Sequence, residues 1–202
     1  TVANGGTLKI HTGSKITVNG SSANFSGSLD ADDNSTLALN GTANTTLSGS
    51  GTISLWDLTV NTSAGTQLQV NLNIRGTLLL TSGSFDASTA TVKLVSTVAG
   101  TGRLGPVASG AAYVGSMTVQ RYIPAGHTNW RMLGSPVSGQ TIASWQDDFF
   151  TAGYPGSAYP AFYSPVGSST LWPSIRWYNE TNTSAVADSG LVGVSSSSQP
   201  LA

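Results

Sequence analysis

The run Gly6-Thr7-Leu8-Lys9-Ile10 returns as Gly76-Thr77-Leu78-Leu79-Leu80. Relatives of the same unit are Lys15-Ile16-Thr17-Val18-Asn19-Gly20, Ser35-Thr36-Leu37-Ala38-Leu39-Asn40-Gly41, Asp57-Leu58-Thr59-Val60-Asn61 and Ala90-Thr91-Val92-Lys93-Leu94. Each sets apolar side chains at alternate positions over a few residues, the period of a half-buried strand. Gly, Asn or Ser closes each unit, and these residues tolerate the positive φ of tight turns. Strands recurring about every seven to ten residues fit either an antiparallel sandwich or a parallel β-helix, whose coils of two or three strands stack on one another. Very short strands, small polar turns and the return of one Thr-Leu-x-Leu unit favour the β-helix. The expected fold is all-β, with a right-handed parallel β-helix-like solenoid in its N-terminal part.

The composition shifts near Pro106. All the prolines lie at or after that residue, and before it only Phe25, Trp56 and Phe85 are aromatic. A boundary in residues 105–112 gives a repeat region over 1–108 and an aromatic-rich, β-sandwich-like module over 109–202, truncated at its C-terminus. In that module 116–123 and 129–133 read as strands joined through a turn at Gly126-His127-Thr128, and 174–178 as a third strand. Residues 142–150 are the only candidate for a turn or two of helix. The segment 145–173 is expected to wrap the sheet and cap the open end of the β-helix.

Only 8% of the 202 residues are charged, the net charge is −1, and there is no cysteine. A disulfide scaffold and a thiolate metal site are excluded. Eight scattered Lys and Arg make no patch for nucleic acid, and no apolar run reaches the roughly 20 residues that span a bilayer. Thr1-Val2-Ala3-Asn4-Gly5-Gly6 carries no signal-peptide pattern and reads as the middle of a repeat, so the chain is expected to be a fragment of a longer protein.

The runs Val119-Gln120-Arg121-Tyr122-Ile123-Pro124-Ala125 and Trp130-Arg131-Met132-Leu133-Gly134-Ser135-Pro136-Val137-Ser138-Gly139 carry a resemblance. Trp145-Gln146-Asp147-Asp148-Phe149, Gly153-Tyr154-Pro155-Gly156-Ser157 and Ile175-Arg176-Trp177-Tyr178-Asn179-Glu180 extend it. Together they resemble a module of large secreted and surface proteins of Bacteroidota, where Thr-Leu-rich repeats often precede it. The resemblance implies export by the type IX route, a place on the outer-membrane surface or outside the cell, and adhesin-like relatives. It supplies no catalytic signature.

Candidate chemistry is sparse. His11 and His127 are isolated, His11 on the outward side of an alternating strand and His127 in a turn. Asp147 and Asp148 are adjacent and would face opposite sides of a strand, which makes them poor acid–base partners. No cofactor is expected; Asp30, Asp32 and Asn34 place oxygen ligands at alternate positions and are the one candidate calcium site, set against a solvated acidic turn between two coils, since Ser35 stands where an EF-hand loop turns on Gly and no Glu follows at the twelfth position. Among Trp145, Tyr154, Tyr159, Phe162, Tyr163, Trp172, Trp177 and Tyr178, most are expected to pack. Tyr159 and Trp172, beside prolines, are the expected ligand-binding residues, since exposed aromatics stack on sugar rings. The Asn-x-Ser/Thr triplets at Asn34, Asn44, Asn61 and Asn179 are what a chain rich in these residues produces by chance.

The expected function is a non-enzymatic structural or adhesive segment of a large surface or secreted protein. Its partners would be neighbouring domains, surface polysaccharide or other surface proteins, with neither nucleic acid nor membrane insertion. The rivals are a carbohydrate-binding module and a β-helix polysaccharide lyase. The lyase needs clustered Asp, Lys and Arg, which the sparse charge argues against. Irregular repeats interrupted at 30–34 argue against ice binding.

Overall fold

The computed structural model describes residues 1–124, 130–182, 186 and 189–201. It is all-β, with a parallel β-solenoid of about five turns. Contacts divide the chain into two units, Thr1–His127 and Thr128–Ala202.

In the first unit each of the first three coils is three short strands. The first coil is β1 (Thr7–Ile10), β2 (Lys15–Val18) and β3 (Ser22–Phe25); the second is β4 (Ser28–Ala31), β5 (Thr36–Gly41) and β6 (Thr45–Gly49). The third is β7 (Thr52–Leu55), β8 (Asp57–Thr62) and β9 (Thr66–Leu68). The fourth is β10 (Asn71–Ile74) and the long β11 (Thr77–Asp86), which serves two sides. The fifth holds β12 (Val92–Leu94), a hairpin of β13 (Ser96–Thr97) and β14 (Gly100–Thr101), β15 (Arg103–Leu104) and β16 (Ala111–Val114); β17 (Met117–Val119) follows.

Equivalent strands pair in parallel, β1-β4-β7-β10-β12-β17 along one side. The register stacks like on like. Leu8, Leu29, Ile53, Leu72, Val92 and Met117 form one inward column of that sheet, and Ile10, Ala31, Leu55, Ile74, Leu94 and Val119 the next. On the second side Ile16, Leu37, Leu58, Leu78 and Leu104 stack likewise. The alternation legible in each unit therefore sends every second side chain into one shared core.

Polar groups inside this core are satisfied. Thr62 and Thr66 are buried and share a 2.7 Å hydroxyl hydrogen bond, and the Thr45 hydroxyl donates to the Gly20 carbonyl at 3.1 Å. Outside, Asn61 donates to Asn40, and Asn40 to Asn19, in an amide ladder at the ends of the second-side strands. β11 turns the corner within one strand. A bulge shifts its register between Leu80 and Ser82, and Gly83 has φ +71° directly against the Thr62 carbonyl.

The strand ladder runs past the composition shift at 106. Met117–Val119 pairs in parallel with Val92–Leu94, so it is a further solenoid strand and not half of the expected hairpin. Its alternation lets Met117 and Val119 extend both inward columns, and this burial decides its partner. Residues 130–133 form no strand. The expected turn at Gly126-His127-Thr128, and His127 with it, lies outside the described residues.

The second unit is built differently. A 3-10 turn, Ile142–Trp145, stands where a short helix was expected. β18 (Arg176–Tyr178) and β19 (Leu191–Gly193) form its one pair of antiparallel strands among the described residues, beside isolated antiparallel bridges at Thr141–Pro200 and Tyr163–Leu171. Ile142, Tyr154 and Val194 are its buried centre, with Ile175 and Leu201 packed against them. Among the described residues no second sheet faces this pair. No helix among them is long and apolar enough to cross a membrane.

Candidate functional site

Two places gather the residues that the sequence singles out. One is a corner of the solenoid between its first and second sides. Lys9 on β1 lies beside Asp30 on β4, and its ammonium is 2.6 Å from Asp30 Oδ2 and 2.9 Å from Asp32 Oδ1. His11 Nδ1 is 3.5 Å from the other Asp32 oxygen and is largely exposed. Lys9 holds the Asp32 carboxyl below its ordinary value, and the two carboxylates raise the Lys9 ammonium. Asn34 takes the left-handed turn conformation, φ +60°, that ends this corner.

Two of the three candidate calcium ligands, Asp30 and Asp32, thus already face a cation. Lys9 sits between the two carboxylates, where Ca²⁺ would have to displace it. Among the described residues no three His, Cys, Asp or Glu side chains come together as a metal site.

The other place is the aromatic surface of the second unit. Of the eight aromatics read as packing or binding residues, Tyr154 is buried and Trp145 half-buried, while Tyr159, Phe162, Tyr163, Trp172, Trp177 and Tyr178 are exposed. Burial raises the Tyr154 phenol above its ordinary value, with the Thr151 side chain beside it acting the other way.

Tyr159 and Trp172 flank one central segment, residues 151–153. Gly153 N–H donates to the Tyr159 carbonyl at 2.9 Å, and Tyr159 N–H donates to Thr151 at 3.0 Å. On the other side Ser174 N–H donates to the Ala152 carbonyl at 2.9 Å, and the Ser174 hydroxyl accepts from Ala152 N–H. A side chain at position 153 would strike the Trp172 carbonyl, so glycine with φ +80° is what lets these backbones meet.

The Phe150 and Tyr159 rings lie 6.0 Å apart. The Arg176 guanidinium lies 4.4 Å from the Trp172 ring centre and 5.3 Å from that of Trp130. No family model, no curated protein and no solved structure matches the chain. The reading of this surface therefore rests on its chemistry. Arg176 was not singled out from the sequence; the available signal was a lone cation between apolar and aromatic neighbours in a module with few charges. A guanidinium stacked on two indoles is a preorganised planar platform, and indoles open to solvent suit stacking against sugar rings or apolar side chains.

Asp147 and Asp148 are both exposed in the turn after the 3-10 segment, not on a strand.

Proposed function

We propose that this chain is a non-enzymatic structural and adhesive segment of a large bacterial cell-surface or secreted protein. The observation that carries this reading is the unbroken parallel ladder from β1 to β17. Stacked coils give length and stiffness without disulfides, because each coil is held by its neighbours. We read the solenoid as right-handed, the hand that strand crossovers in parallel sheets take. The second unit we read as a sandwich-like β-module that displays aromatic side chains. The runs at 119–139 support placing the parent among type IX secretion substrates of Bacteroidota, with neighbouring domains, surface polysaccharide or other surface proteins as partners.

The test is an antibody to the chain applied to intact source cells, with the native polypeptide sized on a denaturing gel. Surface labelling, and a band far larger than the 20.6 kDa of this chain, are expected. A stand-alone cytosolic polypeptide overturns the proposal.

A second reading, a carbohydrate-binding module, is favoured by the Trp130–Arg176–Trp172 stack. Retention of the purified chain on an insoluble polysaccharide, lost in Trp172→Ala, would select it.

A further inference from the structure

Three Asn-Gly pairs occur in the chain, Asn4-Gly5, Asn19-Gly20 and Asn40-Gly41. Asn4-Gly5 sits in a turn closed by a 2.9 Å bond from Gly6 N–H to the Ala3 carbonyl. The other two belong to the amide ladder. Asn19 follows β2, Asn40 lies in β5 and Asn61 in β8, each 21 residues from the next. Asn40 Nδ2 donates to Asn19 Oδ1 at 3.3 Å, and Asn61 Nδ2 donates to Asn40 Oδ1 at 2.6 Å. Like side chains thus stand in like places, and the rungs differ in the residue that follows each asparagine.

Those followers decide what each rung can do. β2 ends at Val18 and the chain leaves the sheet, so the Gly20 N–H is tied to no backbone carbonyl among the described residues. Gly20 is exposed, and a Cβ built on it would meet nothing within 4 Å. Gly41 is still in the sheet. It pairs with Thr62, and its carbonyl accepts from Ser63 N–H at 3.1 Å. In a parallel ladder the N–H of such a residue points to the same neighbouring strand and is held there. After Asn61 comes Thr62, which is buried and β-branched.

We propose that Asn19 is a self-modifying site, where the side-chain amide is exchanged for a carboxylate without an enzyme. The Gly20 backbone nitrogen gives its proton to hydroxide and attacks Asn19 Cγ. The carbon becomes tetrahedral and its oxygen negative, and the Asn40 Nδ2–H already aimed at that oxygen stabilises it. The Cγ–Nδ2 bond breaks, the amide nitrogen takes up a proton and leaves as ammonia, and a five-membered imide joins residues 19 and 20. Water then opens the imide at either carbonyl. One opening leaves aspartate, the other an isoaspartyl link with one more carbon in the backbone. Nothing is oxidised or reduced, and each conversion adds one negative charge. Glycine matters because a side chain at position 20 would crowd the attacking nitrogen. The shorter bond at Asn40 Oδ1 polarises that amide at least as well, so the ladder does not choose the site. The free nitrogen of Gly20 does. This chemistry is independent of where the parent protein resides.

The test incubates the folded full chain in mildly alkaline buffer made with ¹⁸O-water and follows each asparagine by peptide mapping and mass spectrometry. A guanidinium-unfolded sample runs beside it. In the folded chain Asn19 should lose ammonia and gain one ¹⁸O at least about tenfold faster than Asn40, and in the unfolded chain the two rates should come within about threefold of each other. Gly20→Ala, which the open space at Gly20 accommodates, should slow conversion at Asn19 at least about tenfold, with an unchanged melting curve reporting an intact fold. No label at Asn19 of the folded chain in the time that the unfolded chain takes it up there overturns the proposal. So do equal rates at Asn19 and Asn40 in the folded chain, an Asn40 that stays slow when unfolded, or a rate at Asn19 that Gly20→Ala leaves unchanged.

Discussion

Lys9 and Asp30 stand one coil apart in the same outward column of the first sheet, with the ammonium 2.6 Å from the carboxylate. Asp32, two residues on, reaches the same nitrogen at 2.9 Å. Parallel stacking makes such pairs from residues about one coil apart in sequence, as it does the amide ladder of Asn19, Asn40 and Asn61. One geometric rule therefore fixes both the core and the polar exterior.

The Lys9 cluster should leave a signature in stability against pH. The Asp32 carboxyl is lowered from 3.8, so its stabilisation is present above that value and lost as pH falls through the lower folded-state value. The Lys9 ammonium is raised from 10.5, so its stabilisation is present below that value and lost as pH rises through the higher folded-state value. The difference in melting temperature between wild type and Lys9→Met should be flat from about pH 5 to 9 and shrink beyond both ends. All three side chains are substantially exposed, so the difference should be small and should fall with added salt. A difference independent of pH would mean that Lys9 acts through its methylene stem.

The inward columns predict a gradient of sensitivity. Leu58 is fully buried midway along the column of Ile16, Leu37, Leu78 and Leu104, whereas Leu104 at its end is 39% exposed. Leu58→Ala should cost about 2–5 kcal/mol in denaturant unfolding followed by far-UV circular dichroism. Leu104→Ala should cost less than about 1.5 kcal/mol, because less apolar surface is lost from the core. Equal losses would contradict a core shared along the column.

Two glycines with nearly the same backbone separate conformation from crowding. Gly13 has φ +73° and open space where a Cβ would go, while Gly83 has φ +71° and a Cβ position 2.0 Å from the Thr62 carbonyl. Gly13→Ala carries only the left-handed penalty, about 1–2 kcal/mol. Gly83→Ala adds a clash with backbone inside the β11 corner and should cost at least about 3 kcal/mol. The same denaturant titration measures both.

The solenoid was legible because its signal is repeated. Leu8, Leu37, Leu58 and Leu78 each sit in the same local pattern, and a misreading of one unit is corrected by the next. The end of the solenoid was harder to read. Pro106 and the aromatics after it mark a change in composition, yet Met117–Val119 still pairs with β12, since strand pairing depends on alternation and not on which turn residues lie between. The 3-10 turn at Ile142 and the strand at Arg176 were visible as local patterns, whereas the partner of that strand, Leu191–Gly193, lies in a weak Val-Gly run with no period of its own. Tyr159 and Trp172 stand out by exposure beside proline. The contacts among Asn19, Asn40 and Asn61 do not, because nothing in the chain says that a residue of one coil meets that of another until the coil length is known.

The Arg176 stack makes a prediction confined to the second unit. Lysine at 176 keeps the charge but lacks the planar guanidinium, so Arg176→Lys should lose about 0.5–2 kcal/mol. In a Trp56→Phe background the remaining tryptophans, Trp130, Trp145, Trp172 and Trp177, all belong to the second unit. Their fluorescence therefore reports its unfolding alone. The fluorescence midpoint should fall in Arg176→Lys and in Trp172→Ala, since each removes one face of the 4.4 Å contact. The double variant should lose less than the two single losses together, because the second substitution acts on a contact already broken. Additive losses would show that Arg176 and Trp172 stabilise the unit independently, leaving the platform without preorganisation and weakening the carbohydrate-binding reading that rests on it.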